Sequence, residues 1–252
     1  MSGHSKWATI KRKKGAADAK RGQLFTRLAR EIAMAAREGG GDVDANFKLR
    51  LAIDKARANN MPKDNIERAV HRGTGEDREG GVLEQMSYEA YAPHGIALLI
   101  DVVTDNKNRA VAEIRRILTR AGGSLGEAGS VAWQFTRKAY FEMAAEGKDS
   151  DAIFEMAVEA GADDVSVGSD MIEITAPVEA FKSISERLRT AKLAPDEATL
   201  RMEPQQQIPL GVDDTVSVMK VIEALEELDD VHTVYSNLQV SDEAVAAMEA
   251  AA

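Results

Sequence analysis

The chain has 252 residues, 44% hydrophobic and 29% charged, enough for one or two packed domains of ordinary globular composition. It has no cysteine, which excludes disulfides and thiolate-bound metals. No apolar run approaches the ~18 residues that a membrane span needs, and the N-terminus lacks the apolar stretch of a secretion signal. An Arg-rich start has something in common with an organelle transit peptide, but here it leads straight into a capped helix. The expected compartment is the cytoplasm.

The formal charge of −10 is unevenly spread. Residues 1–78 hold 18 Lys and Arg against 10 Asp and Glu, a balance of +8. The blocks 79–136, 137–209 and 210–252 carry −2, −7 and −9. A basic pole on an acidic body attracts polyanions at one end and repels them at the other. The competing reading is a basic block that docks on the acidic body of its own chain.

Residues 2–15 show no helical period and read as an arm, with Trp7 and Ile10 its only large apolar residues. The spacing of Leu24, Leu28, Ile32 and Ala35 predicts a helix over 16–38. At ~100° per residue, Lys20, Arg27, Arg30 and Arg37 project opposite that apolar face. A second helix is expected over 44–58, with Phe47 and Leu51 on one side and Leu49, Ile53 and Ala56 on the other. Two apolar sides suggest a helix sandwiched between two others. A third helix spans 62–72, with Gly73 as its expected stop, completing a small bundle. Helices flanking the break at Pro62 also fit a helix-turn-helix, although a generic helical hairpin suits a turn without Gly better. GTGEDREGG (73–81) reads as a linker.

Beyond it the period becomes 2. Met86, Tyr88 and Ala90 alternate, APHG turns, and residues 96–103 run apolar, a strand–turn–strand signal. Asp105 or Asn106 is placed to cap a helix carrying Val111, Ile114 and Leu118. The loop GGSLGEAGS follows, then Val131, Trp133 and Phe135 alternate as a further strand. Residues 138–209 read as β-α-β-β-α-β, the ferredoxin-like order. The last 43 residues supply one more helix and one more strand.

The expected class is therefore α+β multidomain: an N-terminal three-helix domain followed by two α+β domains, one ferredoxin-like and inserted in the other. The expected boundaries are 1–78, 79–136 plus 210–252, and 137–209. Consecutive domains with a loose tail would leave the tail helix's apolar stripe unburied.

Nothing in the residues looks catalytic. His4, His71, His94 and His232 are scattered without zinc spacing. Gly147-Lys148 resembles the end of a phosphate loop, but Glu142 and Asp149 stand where Gly and Ser/Thr are required. GGSLGEAGS offers backbone N–H groups to a phosphate, though Glu127 argues for a plain turn. Acidic pairs such as Asp163-Asp164 and Asp229-Asp230 read as helix-end or turn charges. Trp7 among cations fits base stacking and equally fits anchoring of the arm. No metal, cofactor or small-molecule substrate is expected, and a monomer is favoured.

The segments GHSKWATIK, DAKRGQLFTRLAREI, LRLAIDKARANNMPKDNIERAV and GSVAWQF resemble the YebC/PmpR family over essentially the whole chain. That resemblance implies a helical domain plus two α+β domains and a DNA-binding transcriptional regulator. It also connects the chain with ribosomes and relief of stalled synthesis at proline-rich stretches, so ribosomal RNA within the ribosome is the alternative partner. It implicates Lys6, Trp7, Lys11, Arg12, Lys13, Lys14, Lys20 and Arg21, together with Arg27, Arg30, Arg50, Lys55, Arg57 and Lys63. The turn APHG departs from relatives that have a second Gly or an Asn before the Gly.

Overall fold

The structure is a computed structural model describing residues 18–76, 83–168 and 170–250, with the side chains of 18–21 and 249 excluded. Three helices come first: α1 (Asp18–Gly39), α2 (Phe47–Ala58) and α3 (Lys63–Thr74). Leu28, Ile32, Leu49, Ile53, Met61 and Ile66 are buried together as their core. Asn46 is buried at the joint between α1 and α2. Its Oδ1 accepts from Leu49 N at 3.1 Å, capping α2. Its Nδ2 donates to the carbonyls of Ala35 and Gly40, both at 2.8 Å, satisfying the open end of α1.

Two sequence expectations change here. Gly73 does not stop α3, which runs on to Thr74 and ends at Gly75 in the left-handed region (φ 79°). Gly73 is instead where α3 meets α1: a Cβ there would lie 2.2 Å from the Ala33 carbonyl oxygen. The second apolar side of α2 is not covered by another helix of the bundle. Phe47 packs edge-on against Phe181, centroids 6.0 Å apart, on a helix of the last sheet unit described below.

The first sheet contains β1 (Glu84–Tyr91), β2 (Ala97–Thr104), β3 (Ser124–Leu125) and, from the far end of the chain, β9 (Val231–Ser236). Its order is β3-β1-β2-β9. β1 and β2 pair from Glu84↔Thr104 to Tyr91↔Ala97, across a turn in which His94 and Gly95 have φ of 64° and 74°. One face is covered by α4 (Lys107–Arg120), α7 (Val212–Glu226) and α8 (Asp242–Ala250), around a core that includes Leu98, Ile100, Ile114 and Ile222. Asn106 is the residue that caps α4, accepting from Arg109 N. The helix α8 was not expected from the sequence, which is Ala- and Glu-rich there; it buries Val245 and Met248 against that core. Short strands β8 (Ile208–Pro209) and β10 (Leu238–Gln239) pair in parallel beside it.

The second sheet interrupts the first. β4 (Phe135–Ala144), α5 (Ser150–Glu159), β5 (Asp164–Val167), β6 (Met171–Pro177), α6 (Phe181–Thr190) and β7 (Glu197–Pro204) follow in the ferredoxin-like succession. The sheet order is β5-β6-β4-β7, all antiparallel. Phe141, Met143, Ile172 and Ile174 face its two helices. On the opposite face Tyr140 Oη lies 2.8 Å from both Glu142 and Glu173, all three buried. Arg201 stacks on the Tyr140 ring at 3.3 Å and pairs with Glu203 at 2.7 Å, placing a cation beside the carboxylates.

The strand expected over 131–135 is corrected. Ala132–Gln134 form a short 3-10 turn, β4 starts at Phe135, and Trp133 is 68% exposed. The cause lies on β1. Glu89 accepts from the backbone N–H groups of Gly129 (2.6 Å), Val131 (2.5 Å) and Ala132 (2.8 Å) and curls the loop around itself. On α5, Ile153 and Ala157 face the core, while Phe154 and Val158 are exposed.

Candidate nucleic-acid interface

The cations singled out by sequence fall into three groups. Lys6, Trp7, Lys11, Arg12, Lys13 and Lys14 lie outside the described residues. Lys20 and Arg21 sit in the first turn of α1, without described side chains. The other six are placed with their partners.

Arg27 and Arg30 do not project into solvent as the helical wheel suggests. They face the turn between α7 and β9, whose residues 226–230 read Glu-Glu-Leu-Asp-Asp. Arg30 Nη2 lies 3.0 Å from Asp230 Oδ1, with side chains only 13% and 3% exposed. Arg30 also donates to the Asp229 carbonyl. Arg109 of α4 meets the same Asp230 carboxylate at 2.9 Å and 3.0 Å, so one buried anion is shared by two guanidiniums from different units. Such a fork-to-carboxylate arrangement is strong when complete and costly when one member is removed. Arg27 is half-buried, and its Nε has no hydrogen-bond partner. Burial lowers its pKa, opposed by Glu226, Asp229 and Glu227. Further along α1, Arg37 donates to the Leu83 carbonyl, and Ala33 and Met34 pack on Leu83 and Val103. This face of α1 is the docking face of the helical unit on the first sheet.

On α2 and α3 the pattern differs. Arg50 donates to the carbonyls of Val43 (3.2 Å) and Asp44 (2.9 Å), tying down the preceding loop. Lys55 pairs with Glu31 of α1 at 3.2 Å. Arg57 and Lys63 have only helical neighbours, Asp54 at 3.5 Å and Glu67 at 3.3 Å, and are 68% and 86% exposed. Lys48 of α2, outside the residues singled out by sequence, is 63% exposed and pairs with Glu38 at 2.7 Å. Exposed pairs of this kind contribute about 0–1 kcal/mol and yield readily to a competing anion. Among the described residues of the helical unit, Lys48, Arg57 and Lys63 are therefore available cations, joined by the exposed Arg68 of α3; on the body, Arg115, Arg116 and Arg120 of α4 are exposed as well.

The N–H cradle considered for GGSLGEAGS does exist, but the chain fills it. Burial alone would raise the Glu89 pKa. The N–H groups of Gly129, Val131, Ala132 and Ser130 outweigh that and hold it below the usual carboxylate value. The Asp229-Asp230 pair is likewise more than a turn charge, since it receives α1. The signal available in the sequence was composition: four acids in five residues in the most acidic block.

A helical unit carrying exposed cations, docked through arginines on an acidic body of two sheets, is a three-part α+β scaffold without a bound-cofactor fold such as a doubly wound sheet. The comparisons are specific. Residues 5–76 match the family model described as TACO1/YebC protein N-terminal domain, and residues 83–238 match TACO1/YebC second and third domain. The chain belongs to the TACO1/YebC family. It is 49% identical over 243 residues to a probable transcriptional regulatory protein from Borrelia turicatae, covering 96% of this chain and 99% of that one. It is 48% identical over 250 residues to a protein of the same name from Chlorobium luteolum, covering 99% and 100%. A crystal structure of a conserved hypothetical protein from Aquifex aeolicus superposes with a TM-score of 0.83 at 38% identity, covering 89% of this chain and 93% of that one. The relatives' names describe regulation rather than an enzymatic reaction. No helix among the described residues is long and apolar enough to cross a membrane.

Proposed function

We propose that the protein is a non-enzymatic regulator of gene expression that binds nucleic acid through its N-terminal unit. The contacts are Lys6, Trp7, Lys11 to Lys14, Lys20 and Arg21, continued by Arg57 and Lys63 with Lys48. The observation that carries the reading is charge segregation: +8 on residues 1–78, with those described cations exposed, against a negative remainder. The transcriptional names of the relatives favour duplex DNA as the partner. Binding is chiefly phosphate neutralisation, a sequence-independent process that weakens steeply with salt. The acidic sheets orient the ligand by repelling it.

With six cations engaged on duplex, the slope of log affinity against log salt is about −5. The combined variant Lys11→Ala, Arg12→Ala, Lys13→Ala, Lys14→Ala is expected to bind more weakly and to flatten that slope by about 3 to 4. Fluorescence anisotropy with duplex DNA at several salt concentrations measures both. Co-sedimentation with ribosomes in parallel separates duplex DNA from ribosomal RNA. Equal affinity and slope in the variant and the unmodified protein removes the proposed contact set.

A further inference from the structure

Gln23, Arg27 and Arg30 recur at four- and three-residue spacing, so they share one stripe of α1. That stripe meets a single feature of the body, the turn 226–230. Gln23 Nε2 donates to the Glu227 carbonyl at 3.3 Å. Arg30 takes the Asp229 carbonyl and the Asp230 carboxylate. Arg27 lies in the field of Glu226, Asp229 and Glu227. The turn also carries the C-terminal end of α7, whose carbonyls add partial negative charge. The stripe thus faces closely spaced anionic and carbonyl oxygens, the same chemistry that a phosphate backbone offers.

We propose that the acidic turn 226–230 is a resident phosphate mimic, occupying Arg27 and Arg30 until nucleic acid displaces it. This rests on the nucleic-acid reading given above and names the regulation of that site. Three features favour displacement over permanent docking. First, the turn leaves Arg27 incompletely satisfied: its Nε is buried without an acceptor. A phosphate supplies the paired oxygens that a guanidinium fork fits. Second, the apolar part of the docking is small: Ala33 and Met34 on Leu83 and Val103 at the first sheet, and Phe47 edge-on against Phe181 at the second. Units joined by so polar an interface move relative to one another. Third, Glu227 and Asp229 are themselves exposed. They therefore repel an approaching phosphate chain directly beside the arginines it would use. The arm and the exposed cations of α2 and α3 make first contact, and Arg27 and Arg30 join only when the turn lets go. The effect is a threshold: short or sparse anions stay on the outer cations, and a long phosphate backbone recruits the inner pair.

The test is the combined variant Glu226→Gln, Glu227→Gln, Asp229→Asn. It keeps the turn's carbonyls and leaves Asp230 in place to hold Arg109 once nucleic acid has taken Arg30. Duplex DNA binding is followed by anisotropy across a salt series. The expected result is affinity at least about tenfold tighter at equal salt, with a slope steeper by up to about 1.8 for two added phosphate contacts. Adding Arg27→Gln and Arg30→Gln must abolish that gain. A gain of the same size without the arginines shows a general field effect and overturns the proposal, as does an unchanged slope. The chain has no cysteine, so a second measurement bridges Gln23→Cys and Glu227→Cys with a bismaleimide. The bridged protein is expected to lose the contribution of Arg27 and Arg30 while retaining arm-dependent binding. Bridged and unbridged proteins with identical affinity and slope also overturn it. If neither the unmodified protein nor the acid-neutralised variant binds DNA or ribosomes at low salt, the parent reading fails and takes this one with it.

Discussion

The cations of α1 and those of α2 and α3 belong to one small bundle, yet their situations are opposite. Arg30 is held by a carboxylate that is 3% exposed and that also binds Arg109. Lys63 is paired with a glutamate one turn away on an open surface. Both pairs are salt bridges by distance. One is a junction between units, where desolvation makes completeness decisive; the other is a surface contact screened by water. Charge on a helix becomes available or unavailable to a ligand according to which face the neighbouring unit covers.

Removing the anion of the junction breaks that contrast most strongly. Asp230→Ala leaves two guanidiniums without their shared partner. It is expected to cost about 3–5 kcal/mol, read as a lowered urea midpoint. A loss below about 1 kcal/mol would place the junction in the same class as the surface pairs.

The next largest effect concerns how the bundle fixes which face each helix presents. Asn46→Ala removes the α2 cap and leaves the Ala35 and Gly40 carbonyls without their donor. The expected loss is about 2 kcal/mol in the same urea experiment. A variant within experimental error of the unmodified protein would show that water replaces the amide at this joint.

The sequence and the structure diverge for reasons visible at particular residues. Helix period and strand alternation located the three N-terminal helices, the β1–β2 hairpin and the ferredoxin-like succession, because those signals are local. The return of β9 to the first sheet was legible only indirectly, through a tail helix whose apolar stripe needed a partner. The turn at 132–134 was not legible. Val131, Trp133 and Phe135 alternate like a strand, and only the distant Glu89 explains why the chain curls there. Gly73 misled for the same reason: its helix-ending chemistry is real, but its role is to let α3 approach the Ala33 carbonyl. Arg27 and Arg30 illustrate the limit for the candidate site. A helical wheel shows that they oppose the bundle core; it does not show that an acidic turn roughly 200 residues later covers them.

A smaller effect probes the underside of the same junction by pH. His232 on β9 lies near Glu31, Asp101, Lys55 and Arg27. Burial lowers its pKa from 6.5; Glu31 and Asp101 oppose that, while Lys55 and Arg27 reinforce it. A depressed folded-state pKa means that the unfolded chain takes up the proton first as pH falls. The folded state therefore loses stability below pH 6.5 on this account. His232→Asn is expected to flatten the fall in urea midpoint on acidification through that range. An identical pH profile in the variant would assign the acid sensitivity to other groups.

The smallest effect tests the other half of the contrast. Glu67→Gln removes the partner of Lys63 without altering the helix backbone, and the pair is exposed on both sides. The stability change is expected to stay within about 0.5 kcal/mol. Duplex affinity is expected to rise slightly, because one carboxylate no longer competes for Lys63. Stability and binding thus move independently at this position, whereas at Asp230 they are tied through the junction. A destabilisation by Glu67→Gln comparable to that of Asp230→Ala would mean that Lys63 is structural too, and would remove it from the proposed contact set.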